Sequence, residues 1–175
     1  MLTLKGSHGT TVTRSQTIFK EGFRINSGRY GKGVYFWRES NYSKYLAIAW
    51  WNFYFHQREY SEDNNQSCSI IYVEIQTNKD DYLNTDDFEF KEFLIKLAKQ
   101  KGIEPSKARV AALYGYFITL LEKTLEVKYK VLEVRVVTPP KKFCEDYPLA
   151  LIGVPHCYVV RDTNCITIIN IEENQ

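Results

Sequence analysis

The sequence predicts an α+β fold, a single domain over residues 1–175 with a mostly antiparallel sheet. Three observations carry this. Residues 69–77 (SIIYVEIQT) and 166–171 are β-branched runs, and Phe88–Gln100 spaces Phe90, Phe93, Leu94 and Leu97 as a helix does. Strands surround a few helices without βαβ alternation, which excludes a doubly wound parallel sheet. A chain of 175 residues buries enough surface to hold one core without staples.

Each element follows from local pattern. Leu2 and Leu4 alternate and the pattern breaks at Gly6, so a short strand leads into a loop. Residues 13–22 put Ile18 and Phe19 on one stripe and close on Gly22, a helix with a glycine stop. Residues 26–33 (NSGRYGKG) carry three glycines in eight and read as a loop, and 34–37 (VYFW) as a short buried strand. Residues 43–54 are apolar nearly all round, as in a helix packed on several sides. Residues 61–67 are a polar surface loop, 69–77 a central strand and 78–81 a turn. A helix follows over 88–100, ending at Gly102, and another over 106–124. Residues 127–137 read as a long strand whose alternation slips at Val131-Leu132, a bulge, and Pro139-Pro140 stops it. Residues 157–160 and 166–171 are two strands joined by a turn at Asp162-Thr163-Asn164.

Composition narrows the function classes. With 23 basic and 21 acidic residues the net charge is +2, too small for bulk electrostatic attraction to nucleic acid, though a local basic groove remains compatible. The aromatic content is high, at 13 Tyr, 10 Phe and 3 Trp, which suits both a core and pockets for flat ligands. Cys68, Cys144, Cys157 and Cys165 form no CxxC pair, so no metal is expected. The opening MLTLK lacks a signal-peptide pattern, and the apolar run 45–55 is about half the length of a bilayer span. A soluble, reduced, cytoplasmic protein is expected.

Three segments stand out together: Ser7-His8-Gly9-Thr10, Gly31-Lys32-Gly33-Val34-Tyr35-Phe36, and Tyr158-Val159-Val160-Arg161-Asp162. Taken singly, a strand-end histidine is a turn residue, the Tyr35–Trp37 run is core, and 28–33 is a hairpin loop. Their chemistry as a group is different. His8 at a strand end can donate a hydrogen bond to a ribose hydroxyl, and Gly9, without a Cβ, lets backbone groups approach a carboxamide. The flat face of Tyr35 suits an electron-poor aromatic cation.

In that order, with Ile18 and Gly22-Phe23 between, the segments resemble the ADP-ribosyltransferase superfamily, in its diphtheria-toxin-like and poly(ADP-ribose)-polymerase-like branch. The resemblance is specific over residues 7–47 and weaker over 156–171. It implies a split, strongly bent β-core that holds NAD. His8 and Tyr35 would be two members of a His-Tyr-Glu triad, and Gly9 and Thr10 would belong to the nicotinamide clasp. Ser43, eight residues past Tyr35, would bond the same amide, Tyr45 or Tyr42 would give a second stacking ring, and Tyr30 would lie over the adenosine end. Where polymerising members carry the glutamate, this chain has Cys157, preceded by His156. Chain extension is therefore not expected, and His156, or less well Glu145, is the substitute base.

The expected reaction is mono-ADP-ribosylation of a macromolecular acceptor, with nucleic acid weighed slightly above protein. Arg24, Arg29 and Lys32 flank the glycine loop, and Lys128, Lys130, Arg135, Lys141 and Lys142 follow later; a solvated face is the plainer reading of these charges. Stand-alone bacterial members of the resembled family include toxins and antiviral effectors, so a neutralising antitoxin is an implied partner. The rivals are a silent NAD or ADP-ribose binding module, an RNA 2′-phosphotransferase, which would need a histidine near Tyr35, and a purely structural domain.

Overall fold

A computed structural model describes residues 1–104 and 110–174. The strands are β1 (Leu2–Thr11), β2 (Asn26–Gly28), β3 (Gly31–Arg38), β4 (Cys68–Thr77), β5 (Tyr82–Asn84), β6 (Val131–Arg135), β7 (His156–Val160) and β8 (Ile166–Asn174). The helices are α1 (Val12–Glu21), α2 (Ser43–His56), α3 (Phe88–Gln100), α4 (Val110–Leu125) and the single turn α5 (Leu149–Ile152). The sheet order is β5-β6-β7-β3-β1-β4-β8, with β2 paired to β3. Every pairing is antiparallel except β5 with β6. The α+β class is as the sequence predicts.

The sheet is split at its middle. β1 runs beside β4 for ten residue pairs, from Leu2–Thr77 to Thr11–Cys68, but meets β3 only at Gly6–Arg38 and Ser7–Trp37. It is also strongly curved. In a flat sheet β4 and β5 would stand five strand spacings apart, about 24 Å. The chain from Thr77 to Tyr82 reaches at most about 17 Å, so the two ends of the sheet must bend toward each other.

Apolar clusters cover both faces. Trp37, Ile70, Leu132, Val134, Cys157 and Val159 pack with Leu46, Ala47 and Ala49 of α2 and with Phe90 and Phe117 of α3 and α4. Val34, Phe36, Ile71, Val73, Ile75, Val131, Tyr158 and Val160 form the second, with Ile18 and Phe23 against it. Ile70, Ile71 and Ile75 are fully buried, each stabilising the fold by about 1.5–3 kcal/mol. Thr11 caps α1 by accepting from the Arg14 N–H at 3.2 Å, and Gly22 ends it at φ +81° while its N–H reaches the Ile18 carbonyl at 2.8 Å. Asp87 caps α3 in the same way.

Several local expectations are corrected. β1 does not break at Gly6; that glycine lies in the ladder because a Cβ there would sit 2.8 Å from the Cβ of Phe36. Residues 26–33 form a β2–β3 hairpin, whose turn is completed by Gly31 at φ +99°. Phe19 lies 68% exposed, and only Ile18 of the expected stripe packs inward. The strand expected over 127–137 is only Val131–Arg135, since Val127 and Tyr129 donate their N–H groups to Glu122 at the end of α4. The register shift falls elsewhere, between β4 and β8 beside Tyr72/Val73, where Ile169 is the extra residue. The two late strands are joined at Thr163–Cys165 as expected, and they go to different neighbours: β7 lies between β3 and β6, and β8 pairs with β4. The three-residue β5 was not anticipated. Of the helix expected over 106–124, residues 106–109 lie outside the described residues.

Candidate functional site

The predicted residues meet where β1 and β3 part. Lys5 accepts from the Glu39 N–H on the β3 side, and Val12 donates to Ser67 beyond the β4 side of the strand. Backbone groups alternate along an antiparallel strand, so Gly9, like Lys5 and Ser7, directs its N–H and C=O toward β3. The ladder to β3 has already ended at Ser7–Trp37. By the same alternation Tyr35 turns its peptide groups back toward β1.

His8 borders this gap. Its Nδ1 lies 2.9 Å from the Tyr35 carbonyl oxygen, and its ring stands edge-on to Phe23 and Phe36 at 5.8 and 5.9 Å. A carbonyl only accepts, so Nδ1 carries the hydrogen and Nε2 keeps its lone pair. Burial lowers the His8 pKa, opposed by the bond to Tyr35. At neutral pH His8 is therefore an acceptor at Nε2. The expectation that it donates to a ribose hydroxyl is corrected: the hydroxyl would donate to it.

Gly9 is required on steric grounds. A Cβ there would lie 2.0 Å from the Ala47 carbonyl oxygen, because the backbone of α2 rests directly on β1. Thr10 is buried in the ladder opposite Ser69. Ser43, at the start of α2, is also buried; its hydroxyl donates to the Ser40 carbonyl at 3.0 Å, and its own carbonyl accepts from Ser7 Oγ at 3.0 Å. Its contribution is to pin α2 over β1.

Tyr35 is half-buried on the helix-covered face. Its Oη accepts from the Tyr30 N–H at 2.8 Å and donates to the Gly31 carbonyl at 3.0 Å, and a Cβ at Gly28 would lie 2.5 Å from its ring. One side of the ring thus clamps the hairpin. Burial pushes its phenol up to about 12. Tyr30 continues the contact, donating to the Arg135 carbonyl at 2.6 Å with its ring edge-on to Tyr114 at 5.7 Å. Tyr45 Oη accepts from the Asp146 N–H at 3.1 Å, and Tyr42 packs edge-on to Tyr147 at 5.6 Å.

The late strand divides its two candidates. Cys157 shares the face of Tyr35 and Trp37 but is only 3% exposed, and burial raises its thiol pKa strongly. It is a core residue there, with no thiolate character at neutral pH. His156 turns to the opposite face, where its Nδ1 stands 2.7 Å from Glu133 Oε1. Glu145 is exposed on a loop. The gap therefore joins the backbones of Gly9 and Tyr35 with the His8 ring, which lies on the Phe23–Phe36 face while the Tyr35 ring lies on the helix-covered one; Tyr30 stands behind the hairpin, and His156 lies away from them.

A thiol-labelling experiment checks this placement. With excess reagent at about pH 8, the partly exposed Cys165 should react in the native protein, and Cys157 only on unfolding. Modification of Cys157 as fast as Cys165 would contradict the burial.

Sequence reasoning missed a buried polar group on the face of β6 and β7 opposite Cys157. Glu133 is 3% exposed, and its carboxylate accepts from Arg38 at 2.8 Å, from His156 and from the Tyr82 hydroxyl. His156 Nε2 lies 3.9 Å from Asp86, which also pairs with Lys91 and with Arg135 at 2.6 Å. A signal was present in residues 131–136 (VLEVRV): a strand buried on both faces that embeds one glutamate must supply partners for it.

Two surface grooves lie away from the gap. One of about 240 Å³ runs between α3 and α4 along Leu94, Ala98 and Phe117, and one of about 550 Å³ between α1 and β8 along Phe19, Ile168 and Ile171. Neither includes a predicted site residue. Among the described residues no helix is long and apolar enough to cross a membrane, and no cluster of three or more His, Cys, Asp or Glu side chains is arranged for a metal ion. Compared with family models, curated proteins and solved structures, the chain matches none.

Proposed function

We propose that the chain binds NAD across the gap between β1 and β3 and transfers single ADP-ribose units to a macromolecular acceptor, nucleic acid before protein, in a reducing cytoplasm. The observation that carries this reading is the gap itself: Gly9 and Tyr35 turn peptide groups toward each other across it, and His8 borders it. The Gly9 N–H and C=O suit a carboxamide edge, and the Nε2 lone pair suits a ribose hydroxyl. The ordered motifs at 8–10, 22–23 and 31–36 support the same assignment.

In the reaction the bond between nicotinamide nitrogen and ribose C1′ breaks, and its electron pair leaves with nicotinamide. The acceptor atom forms the new bond to the oxocarbenium-like C1′ and loses its proton. The protein's part is to hold both partners in line and exclude water. No carboxylate stands at the Cys157 position, so the acceptor's own nitrogen or solvent takes that proton. A second reading, a catalytically silent NAD or ADP-ribose binding module, is favoured by that same apolar burial of Cys157.

Calorimetry with NAD tests the site. Tyr35→Ala should lose a stacking face worth about 1–3 kcal/mol, by analogy with base stacking on aromatic side chains, so affinity falls at least several-fold. His8→Ala should weaken binding too, and Tyr35→Phe, which keeps the ring, should retain most of it. Unchanged affinity in both alanine variants would remove the assignment. Mass spectrometry of total protein and nucleic acid after incubation with labelled NAD then separates transfer from silent binding. The expected product carries single units; ladders of polymer would contradict the missing carboxylate.

A further inference from the structure

The C-terminal half of α2 carries aromatic surface that its packing does not consume. Trp37, Trp50 and Tyr54 form a column of near-parallel rings, with centroids 6.5 Å apart at 22° and then 5.3 Å apart at 26°. Trp37 is in the core, and Tyr54 at the outer end is 40% exposed. Beside the column Phe53 meets Phe143 edge-on at 5.6 Å, and His56 lies 5.1 Å from the same ring. The Lys142 ammonium sits 4.8 Å from the Phe143 centroid.

Cations gather along this strip. Lys141 and Lys142 project from the one-turn helix Lys141–Phe143 that packs on α2, and Arg58 follows the helix end at φ +61°. Arg29 lies at the tip of the β2–β3 hairpin, whose turn Tyr35 clamps beside the gap. Among the described residues none of these four makes an ion pair, whereas Arg24, Lys130 and Arg135 are held by Glu21, Asp81 and Asp86. Of the basic residues flagged in the sequence, Arg24, Lys130 and Arg135 are thus neutralised, and Arg29, Lys141 and Lys142 are not paired among the described residues. Glu59 is the acidic neighbour of Tyr54.

We propose that this strip binds single-stranded nucleic acid. A base stacks on Tyr54, and phosphates lie on Arg58, Lys141 and Lys142. Unpaired bases present the flat faces that open ring surfaces accept, and a duplex does not. A bilayer is the other partner that aromatics and lysines suit. No exposed Leu, Ile or Met lies on α2 or on Lys141–Phe143; the exposed aliphatics that follow, Leu149, Leu151 and Ile152, belong to α5. Binding to the strip stands apart from the NAD reading.

The test is fluorescence anisotropy of the full chain, without NAD, on a labelled oligonucleotide of about 15 nucleotides in about 50 and about 200 mM salt. The same sequence as a duplex and vesicles of anionic lipid run alongside. The single strand should bind more tightly than the duplex, and vesicles should not bind. Tyr54→Ala should weaken binding by about 5- to 160-fold, the loss of one stacked base. Lys141→Glu with Lys142→Glu, both exposed and in no ion pair among the described residues, should lower the salt slope by about 1.4, at about 0.7 per phosphate contact. NAD affinity by calorimetry should be unchanged in both variants. An oligonucleotide that fails to bind, a duplex bound equally well, preference for vesicles, or variants that bind as wild type each overturn the proposal. Oligonucleotide binding with no NAD binding would leave the strip standing and remove the function proposed for the gap.

Discussion

Replacing Glu133 by alanine is expected to cost about 3 kcal/mol of folding stability, the lower end of the range for breaking a buried ion pair. Glu133 sits mid-strand in β6, and three donors from three other elements converge on it: Arg38 of β3, His156 of β7 and Tyr82 of β5. Removing the carboxylate leaves those donors facing a void, and the Tyr82 hydroxyl and His156 have little water to turn to. Arg38 is half-exposed and recovers hydration, which keeps the cost from the top of the range. In a domain of this size such a loss lowers Tm by about 6–12 °C. Glu133→Gln, which keeps one acceptor, should lose less.

The pH dependence has a definite sign. Burial pushes the Glu133 carboxyl up, but the hydrogen bonds from His156 and Tyr82 and the charge of Arg38 outweigh it, and the net shift is downward. A group whose folded pKa lies below its unfolded value, about 4.3, stabilises the fold above that value. The contribution is lost as pH falls through the folded pKa. Urea denaturation should therefore show the gap between wild type and Glu133→Ala fully open at neutral pH and narrowing in acid below about pH 4. A variant within about 1 kcal/mol of wild type at neutral pH, an ordinary surface-pair effect, would mean the network is not formed.

Gly9→Ala is the second large effect. The added methyl would lie 2.0 Å from the Ala47 carbonyl oxygen and 2.6 Å from its carbon, both backbone atoms of α2. No side-chain rotation relieves a contact with backbone, so helix and strand must separate. Overpacking of this kind costs about 1–3 kcal/mol, and here the displaced helix is also tied to β1 through Ser7 and Ser43. Thermal denaturation should place Gly9→Ala several degrees below wild type, and NAD binding should be lost with it. Gly22→Ala separates fit from φ strain: Gly22 has φ +81° but nothing within 4 Å of a Cβ, so it should cost stability without touching NAD binding. Gly9→Ala behaving like Gly22→Ala would show that α2 does not rest on β1 as described.

Much of the fold was legible because its signals are local. The apolar spacing of 88–100 predicted α3 to the residue, and Gly22 marked the end of α1 because the chain there needs φ +81°. Errors arose where partners lie far along the chain. Gly6 reads as a breaker until Phe36, thirty residues on, is seen to occupy the space of its side chain. Residues 127–130 look like strand by alternation, yet Glu122 draws their backbone to the end of α4. Three residues of β5 are too few to carry a period, and they form a strand because β6 lies alongside in parallel.

The sequence by itself determined the types of the longer elements, the α+β class and the order in which His8, Gly9 and Tyr35 appear, since each depends on residues within a turn or a strand of one another. Only the tertiary structure decided which edges meet, and so where β1 parts from β3. It also decided that His8 holds its proton on Nδ1, that Cys157 lies in the core while its neighbour His156 turns to Glu133, and that Arg24 is paired with Glu21 while Arg29 makes no ion pair among the described residues. The reason is range. Periodicity and capping act over a few residues, whereas protonation state, burial and charge pairing are set by groups 23 residues apart, as His156 and Glu133 are, or 27, as His8 and Tyr35 are, that only folding brings within 3 Å.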